Sequence, residues 1–168
     1  TTFYASKYDY FLHTDYNKNF NWNSHISSAH VKTEFTWYIN PEHKVFYGIK
    51  LGRYYFNPGN YNDPNLPSEL TVSPINSSES IVYVGNEYQL SEKIQVIAGL
   101  RFTNWSNLGE SFVVEYENYV PVGSTTYKKN EKYYSNLSIE PRISLSYKLT
   151  DFSSIKASYN RTLQHINL

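Results

Sequence analysis

The clearest pattern in the chain is a strict alternation of apolar and polar positions near its C-terminal end. From Leu137 to Leu149 the odd positions are apolar or proline, and the even positions are serine, lysine, glutamate or arginine. After the turn Thr150–Ser153 the alternation resumes. A period of two predicts β-strands that are wet on one face only. Each run exceeds the usual strand length of about 5–6 residues and is long enough for a membrane-spanning strand, which needs about 9–11.

Five earlier segments alternate in the same way, so the sequence predicts seven antiparallel strands in an up-and-down sheet. The register of the first strand stays open, because its aromatic residues occupy both parities. The predicted strands are Thr1–Phe11, Ser28–Ile39, Lys44–Phe56, Ser80–Leu90, Lys93–Trp105, Tyr133–Leu149 and Ser153–Ile166.

The connections between these strands alternate between short and long. Short turns are expected at Asn40–His43, Ser91–Glu92 and Thr150–Phe152, and long polar loops at Leu12–Ser27, Asn57–Ser78 and Ser106–Lys132. In an up-and-down sheet alternate connections lie at the same end, so the long loops share one end, as in bacterial outer-membrane barrels. The predicted fold is therefore all-β: a fragment of an antiparallel transmembrane β-barrel with about seven long strands.

An open sheet of seven strands would leave unpaired backbone groups in hydrocarbon, at several kcal/mol each. Residues 1–168 are therefore expected to form part of a single larger outer-membrane barrel domain, with its remaining strands and its plug absent from this chain.

Composition narrows the class of protein further. The chain has 18 tyrosines and three tryptophans, an abundance typical of the aromatic belts that flank a bilayer. Its 15 basic and 15 acidic residues balance, which disfavours nucleic-acid binding because that needs a basic surface. It contains no cysteine, which excludes disulfides and thiolate metal sites.

Four segments carry a resemblance to a known family, and together they span nearly the whole chain. They are Glu34–Trp37 with Asn40–His43, Gly52–Gly59, Tyr88–Lys93 with Ala98–Arg101, and Ile139–Tyr147 with Ser154–Arg161. Their order and spacing resemble the barrel of TonB-dependent outer-membrane receptors, of the type with a carboxypeptidase-like N-terminal extension.

The resemblance implies a receptor in the bacterial outer membrane that imports a scarce nutrient, either a metal chelate, an oligosaccharide or a peptide. It also implies partners: membrane lipid, the other strands and the plug of the same receptor, the TonB complex reached through that plug, and an unknown small ligand. A soluble all-β carbohydrate-binding module is the alternative. In such a module the apolar rows would point into a closed core.

The sequence offers no catalytic or metal centre. It contains no nucleophile elbow, phosphate-binding loop or dinucleotide fingerprint, so no enzymatic activity and no cofactor are expected. His25 and His30 would point to opposite faces of a strand, and no acidic cluster completes a coordination shell, so no metal site is expected.

Two groups of residues remain as candidates for function. The first consists of aromatic residues of the long loops, which could stack on a sugar or a flat chelate: Trp22, Tyr55 and Tyr61. For these residues an interfacial belt or loop packing stays open. The second consists of polar-row residues expected to face the barrel lumen, with Glu140 and Arg142 as a same-face ion pair: Lys32, Glu34, Lys50, Gln95, Arg101, Glu140 and Arg142.

Overall fold

The computed structural model describes residues 1–13, 21–61, 70–71 and 73–165. No helix within them is long and apolar enough to cross a bilayer. These residues form ten β-strands: β1 (Thr2–His13), β2 (Asn21–Asn40), β3 (His43–Tyr61), β4 (Leu70–Thr71), β5 (Ile75–Ser91), β6 (Ile94–Leu108), β7 (Ser111–Glu117), β8 (Val120–Tyr127), β9 (Lys132–Thr150) and β10 (Ser153–Asn160).

Seven long strands make one antiparallel sheet in the order β1-β2-β3-β5-β6-β9-β10. The short β4 pairs with the end of β3, and β7 and β8 form a separate two-stranded hairpin. In the described residues β1 and β10 each pair on one edge only, so the sheet is open. The predicted up-and-down sheet of about seven long strands is confirmed, as are short turns at one end.

The predicted long loops are too long, because the strands continue further at that end. β1 reaches His13 and β2 begins at Asn21, within the predicted loop Leu12–Ser27. Similarly, β3 extends to Tyr61 and β5 begins at Ile75. Backbone pairing does not require an apolar face, so the hydrogen-bonded ladder continues here although the apolar alternation has ended.

The third predicted loop, Ser106–Lys132, contains the end of β6 and the whole β7–β8 hairpin, so its assignment as a loop is wrong. The hairpin turns at Asn118 and Tyr119, whose φ angles of 50° and 66° are those of a tight primed turn. The usual Asn-Gly signal is missing there, and Pro121 interrupts the strand pattern. At the other end, β10 stops at Asn160, and residues 166–168 lie outside the described part of the chain.

The two faces of the sheet differ sharply in chemistry and in burial. The apolar face carries one in-register row of exposed side chains: Ile49, Val82, Phe102 and Ile139. The opposite, polar face carries Thr103, Ser138 and Glu140, all of which are buried. Ile81 and Trp105 are buried on the polar face as well, but the large side chains of the apolar rows are exposed, which is unusual for a soluble domain.

The register also settles the orientation of β1. Phe3 pairs with Val31 and Tyr4 with His30, so Phe3 lies on the apolar face and Tyr4 on the polar face. Tyr8 and Tyr10 share the parity of Tyr4.

Candidate functional site

All seven residues predicted to face a lumen lie on the polar face. Cross-strand register places Glu34, Tyr83, Arg101 and Glu140 in one row, together with Gly48. The neighbouring row towards the long-loop end carries Lys32 and Lys50, and the rows towards the turns carry Arg142 and Gln95. That this face lines a lumen stays a prediction, because the sheet is open.

A recess of about 440 Å³ lies at the centre of this face. Its charged lining combines four cations with one carboxylate: Lys32, Lys50, Arg101, Arg142 and Glu34. Gly48 allows a close approach beside it, since a Cβ there would lie 2.5 Å from the hydroxyl oxygen of Tyr83. The Tyr83 ring therefore lies across a strand position that only glycine can occupy without displacing it.

Three polar-face side chains form the first ionic cluster. The Tyr83 hydroxyl donates a hydrogen bond of 2.5 Å to Oε2 of Glu34, and Lys32 Nζ lies 2.9 Å from the same oxygen. Lys32 Nζ also lies 5.5 Å from the centre of the Tyr83 ring, within cation–π range. The charge of Glu34 is therefore held between a cation and a phenol.

A second cluster lies one row further towards the long-loop end. Lys50 Nζ is 2.9 Å from Oε2 of Glu79, and the Tyr54 hydroxyl donates to that oxygen over 3.2 Å. Tyr54 belongs to a chain of ring contacts with centroid separations of 4.6 to 5.6 Å, which crosses the sheet through Tyr4, His30, Tyr54, Trp105 and His165.

Glu140 is the most deeply buried carboxylate of the described residues, with 1% of its surface exposed. Its Oε1 accepts a hydrogen bond of 3.0 Å from Thr103 Oγ1, while Oε2 has no hydrogen-bond partner and lies 3.8 Å from Arg101 Nε. The predicted pair between Glu140 and Arg142 is therefore wrong. Cross-strand neighbours lie closer together than residues two apart on one strand, so Arg101 is the partner.

The structure does not bring the three predicted ligand contacts together. Trp22 lies on the polar face, and its backbone pairs with that of Tyr61, whose side chain lies outside the described part. Tyr55 lies on the other face, with its ring centroid 5.3 Å from that of His25. Gly59, with a φ of 113°, passes beneath the Trp22 ring, and a Cβ there would lie 2.6 Å from that ring. Ligand contact by the three residues stays a prediction.

Sequence reasoning missed two groups of exposed aromatic residues. One consists of Tyr4, Tyr8 and Tyr10, which lie along the polar face of the single strand β1. Their even positions in the sequence could have shown that they share a face. The other is on the β7–β8 hairpin, where Tyr116 is exposed and Tyr119 is 99% exposed at the turn. The described residues include no group of three His, Cys, Asp or Glu side chains able to hold a metal ion.

Comparison with known proteins adds one finding. The family model described as TonB dependent receptor-like, beta-barrel matches residues 1–164, which include all ten strands. Neither the curated proteins nor the solved structures contain a significant match.

Proposed function

The chain belongs to the TonB-dependent receptor β-barrel family, and from this premise we propose that it is part of the wall of a transporter that imports a scarce nutrient. The family is one of outer-membrane receptors in Gram-negative bacteria, and its members are transporters. Residues 1–168 then belong to a single barrel domain, act without a catalytic step or cofactor, and reside in the bacterial outer membrane.

One observation supports this proposal most directly: large apolar side chains are exposed on one face of the sheet, while charged and polar side chains are buried at the centre of the other face. Large aliphatic side chains such as Val82 and Ile143 are exposed, while Glu140 and Thr103 on the opposite face are buried. Lipid would cover the first group, and a wet interior would accept the second. A soluble carbohydrate-binding module would need the apolar rows in a closed core, but in the described residues large side chains of these rows are exposed.

The open sheet requires further protein to complete it. Unpaired backbone groups along β1 and β10 cannot remain in hydrocarbon, so further strands of the same receptor would close the barrel. A plug would fill its interior and engage the TonB complex, as the family implies. The ionic clusters of the polar face would then line the interior.

The ligand would enter at the end where β2 and β3 extend beyond the apolar rows. Trp22 and Tyr61 are the proposed contacts there, because they are opposite each other in register near the strand ends. Tyr55 is the least supported of the three, since it lies on the other face. Metal chelate, oligosaccharide and peptide all stay candidates.

The orientation of the sheet can be tested with two adjacent aliphatic residues of β6. Val96 lies on the apolar face and Ile97 on the polar face, and this chain contains no cysteine of its own. Val96→Cys and Ile97→Cys variants of the full-length receptor would be labelled with a fluorophore and reconstituted in vesicles containing spin-labelled lipid. Quenching by lipid is expected for the Val96 label only. Equal quenching of both labels, or quenching of the Ile97 label alone, would contradict the proposal.

A further inference from the structure

The apolar face changes character abruptly towards the long-loop end of β1, β2 and β3. Successive cross-strand rows on this face lie about 6.6 Å apart. The last wholly apolar row is followed by three rows of small, charged and polar residues. From the apolar row outwards the sets are Phe3, Val31 and Leu51; Ala5, Ala29 and Arg53; Lys7, Ser27 and Tyr55; Asp9, His25 and Asn57.

A shallow recess of about 440 Å³ lies directly beyond the last apolar row. Its floor on this face is made of the small side chains of Ala5, Ser27 and Ala29. Lys7 on β1 and Arg53 on β3 lie on either side of β2, and Tyr55 completes the rim. Two cations therefore flank a trough whose floor offers no steric obstacle. We refer to this trough as the outer-rim recess.

The charges around the outer-rim recess are not fully neutralised. Lys7 Nζ lies 3.0 Å from Asp9 Oδ1, but the Lys7 side chain stays 62% exposed. The Arg53 guanidinium donates a hydrogen bond to the neutral amide of Asn130, and within the described residues it is not ion-paired with a carboxylate. Lys128, Lys129 and Glu131 lie beside Asn130 and are exposed, and the Glu131 carboxylate accepts a hydrogen bond from the backbone N–H of Lys128. Four cations, on Lys7, Arg53, Lys128 and Lys129, thus face two carboxylates, on Asp9 and Glu131, so the local charge is positive and favours an anion.

We propose that the outer-rim recess binds the phosphate-bearing headgroup of a lipid in the outer leaflet. This inference rests on the proposed function, because it requires the apolar face to be covered by lipid. Acyl chains would then end at the row of Phe3, Val31 and Leu51, and the headgroup would meet the next two rows. A guanidinium can make a planar, bidentate hydrogen-bonded contact with phosphate, and a lysine ammonium adds a point charge. Tyrosine, here Tyr55, is enriched at membrane–water interfaces.

Binding of a defined lipid to the full-length receptor would test the inference. The probe is lipid A carrying both phosphates, added to detergent-solubilised receptor and measured by native mass spectrometry. Arg53→Gln combined with Lys7→Gln should weaken binding about tenfold or more, since cations near an anionic headgroup act additively. Asp9→Asn should strengthen it, because it frees Lys7. Dephosphorylated lipid A should bind weakly to all forms, and inorganic phosphate should not displace the lipid.

The matched control changes the same charge on the other face of the sheet. Arg142→Gln removes a cation from the polar face, so it should leave lipid binding unchanged. Unchanged binding in the Arg53 and Lys7 double variant, or an equal loss in the Arg142 variant, would overturn the inference. So would a lipid-free dimer that the double variant abolishes, because a second copy of the receptor would then occupy the recess.

Failure of this inference can be distinguished from failure of the proposed function. If lipid quenches the Val96→Cys label but the double variant binds lipid A normally, the sheet faces lipid and only the outer-rim site is wrong. If the Val96 label is not quenched, the membrane orientation itself is wrong.

Discussion

The most discriminating prediction concerns a lysine placed at either of two neighbouring positions of β9. Ile143 lies on the apolar face, midway along the apolar row from Leu137 to Leu149, and is 52% exposed. Ser144 follows it on the polar face. The two positions share a depth in the sheet and differ in the face they occupy.

The expected cost of Ile143→Lys depends on what covers the apolar face. If water covers it, a change at so exposed a position should alter the free energy of unfolding by no more than about 0.5 kcal/mol. If lipid covers it, a lysine near the bilayer midplane should cost about 2–4 kcal/mol. That range corresponds to a roughly 30- to 700-fold change in the folding equilibrium constant. Ser144→Lys should cost little in either case, because its face is wet.

The measurement is equilibrium unfolding of the full-length receptor in phospholipid vesicles, followed by tryptophan fluorescence during a denaturant titration. Heat-modifiable mobility on a gel would check that each variant is folded before the titration. Similar costs at the two positions, or a larger cost for Ser144→Lys, would refute the view that only the apolar face meets lipid.

Two further predictions concern packing and uptake. Gly48→Leu should displace the Tyr83 ring and lower the free energy of unfolding by about 1–3 kcal/mol, the usual cost of overpacking. The same titration would compare it with Gly123→Leu, at a glycine where a Cβ would make only an ordinary contact, 3.6 Å from Glu115 Oε2. Uptake should fall in a triple alanine variant at the predicted ligand contacts, measured as growth on limiting nutrient with surface expression checked. Normal growth would assign those side chains to belt and loop packing: Trp22, Tyr55 and Tyr61.

The sequence predicts the alternating segments of the strands well, because one physical constraint determines their pattern. Where one face meets lipid and the other meets water, side chains must alternate, so the strand centres and the tight turns can be deduced from parity. Beyond the apolar rows the alternation ends, so the sequence of Asn21–Ser27 predicts a loop although this segment is paired strand. The β7–β8 hairpin is not predicted either, because its turn at Asn118 and Tyr119 lacks the glycine that usually marks such a turn.

The side-chain partners of the candidate site could be predicted only in part. Parity assigns Glu140 and Arg101 to the same face, but it cannot give the register between β6 and β9 that brings them together. Likewise, Lys50 and Glu79 meet only through the pairing of β3 with β5. Cross-strand register depends on turn geometry and bulges, such as the shift between Gln89 and Ser91, which the alternation does not encode.

The extension of β2 and β3 past the apolar rows has a consequence for how a ligand would be captured. Backbone pairing continues there as far as Trp22 and Tyr61, so the entrance of a closed barrel would be a stiff collar built on a hydrogen-bonded ladder. A binding surface that is already ordered loses little conformational entropy when a ligand arrives, which favours tight binding from a small contact area. In the proposed receptor, such a collar would help to retain a ligand that is rare outside the cell.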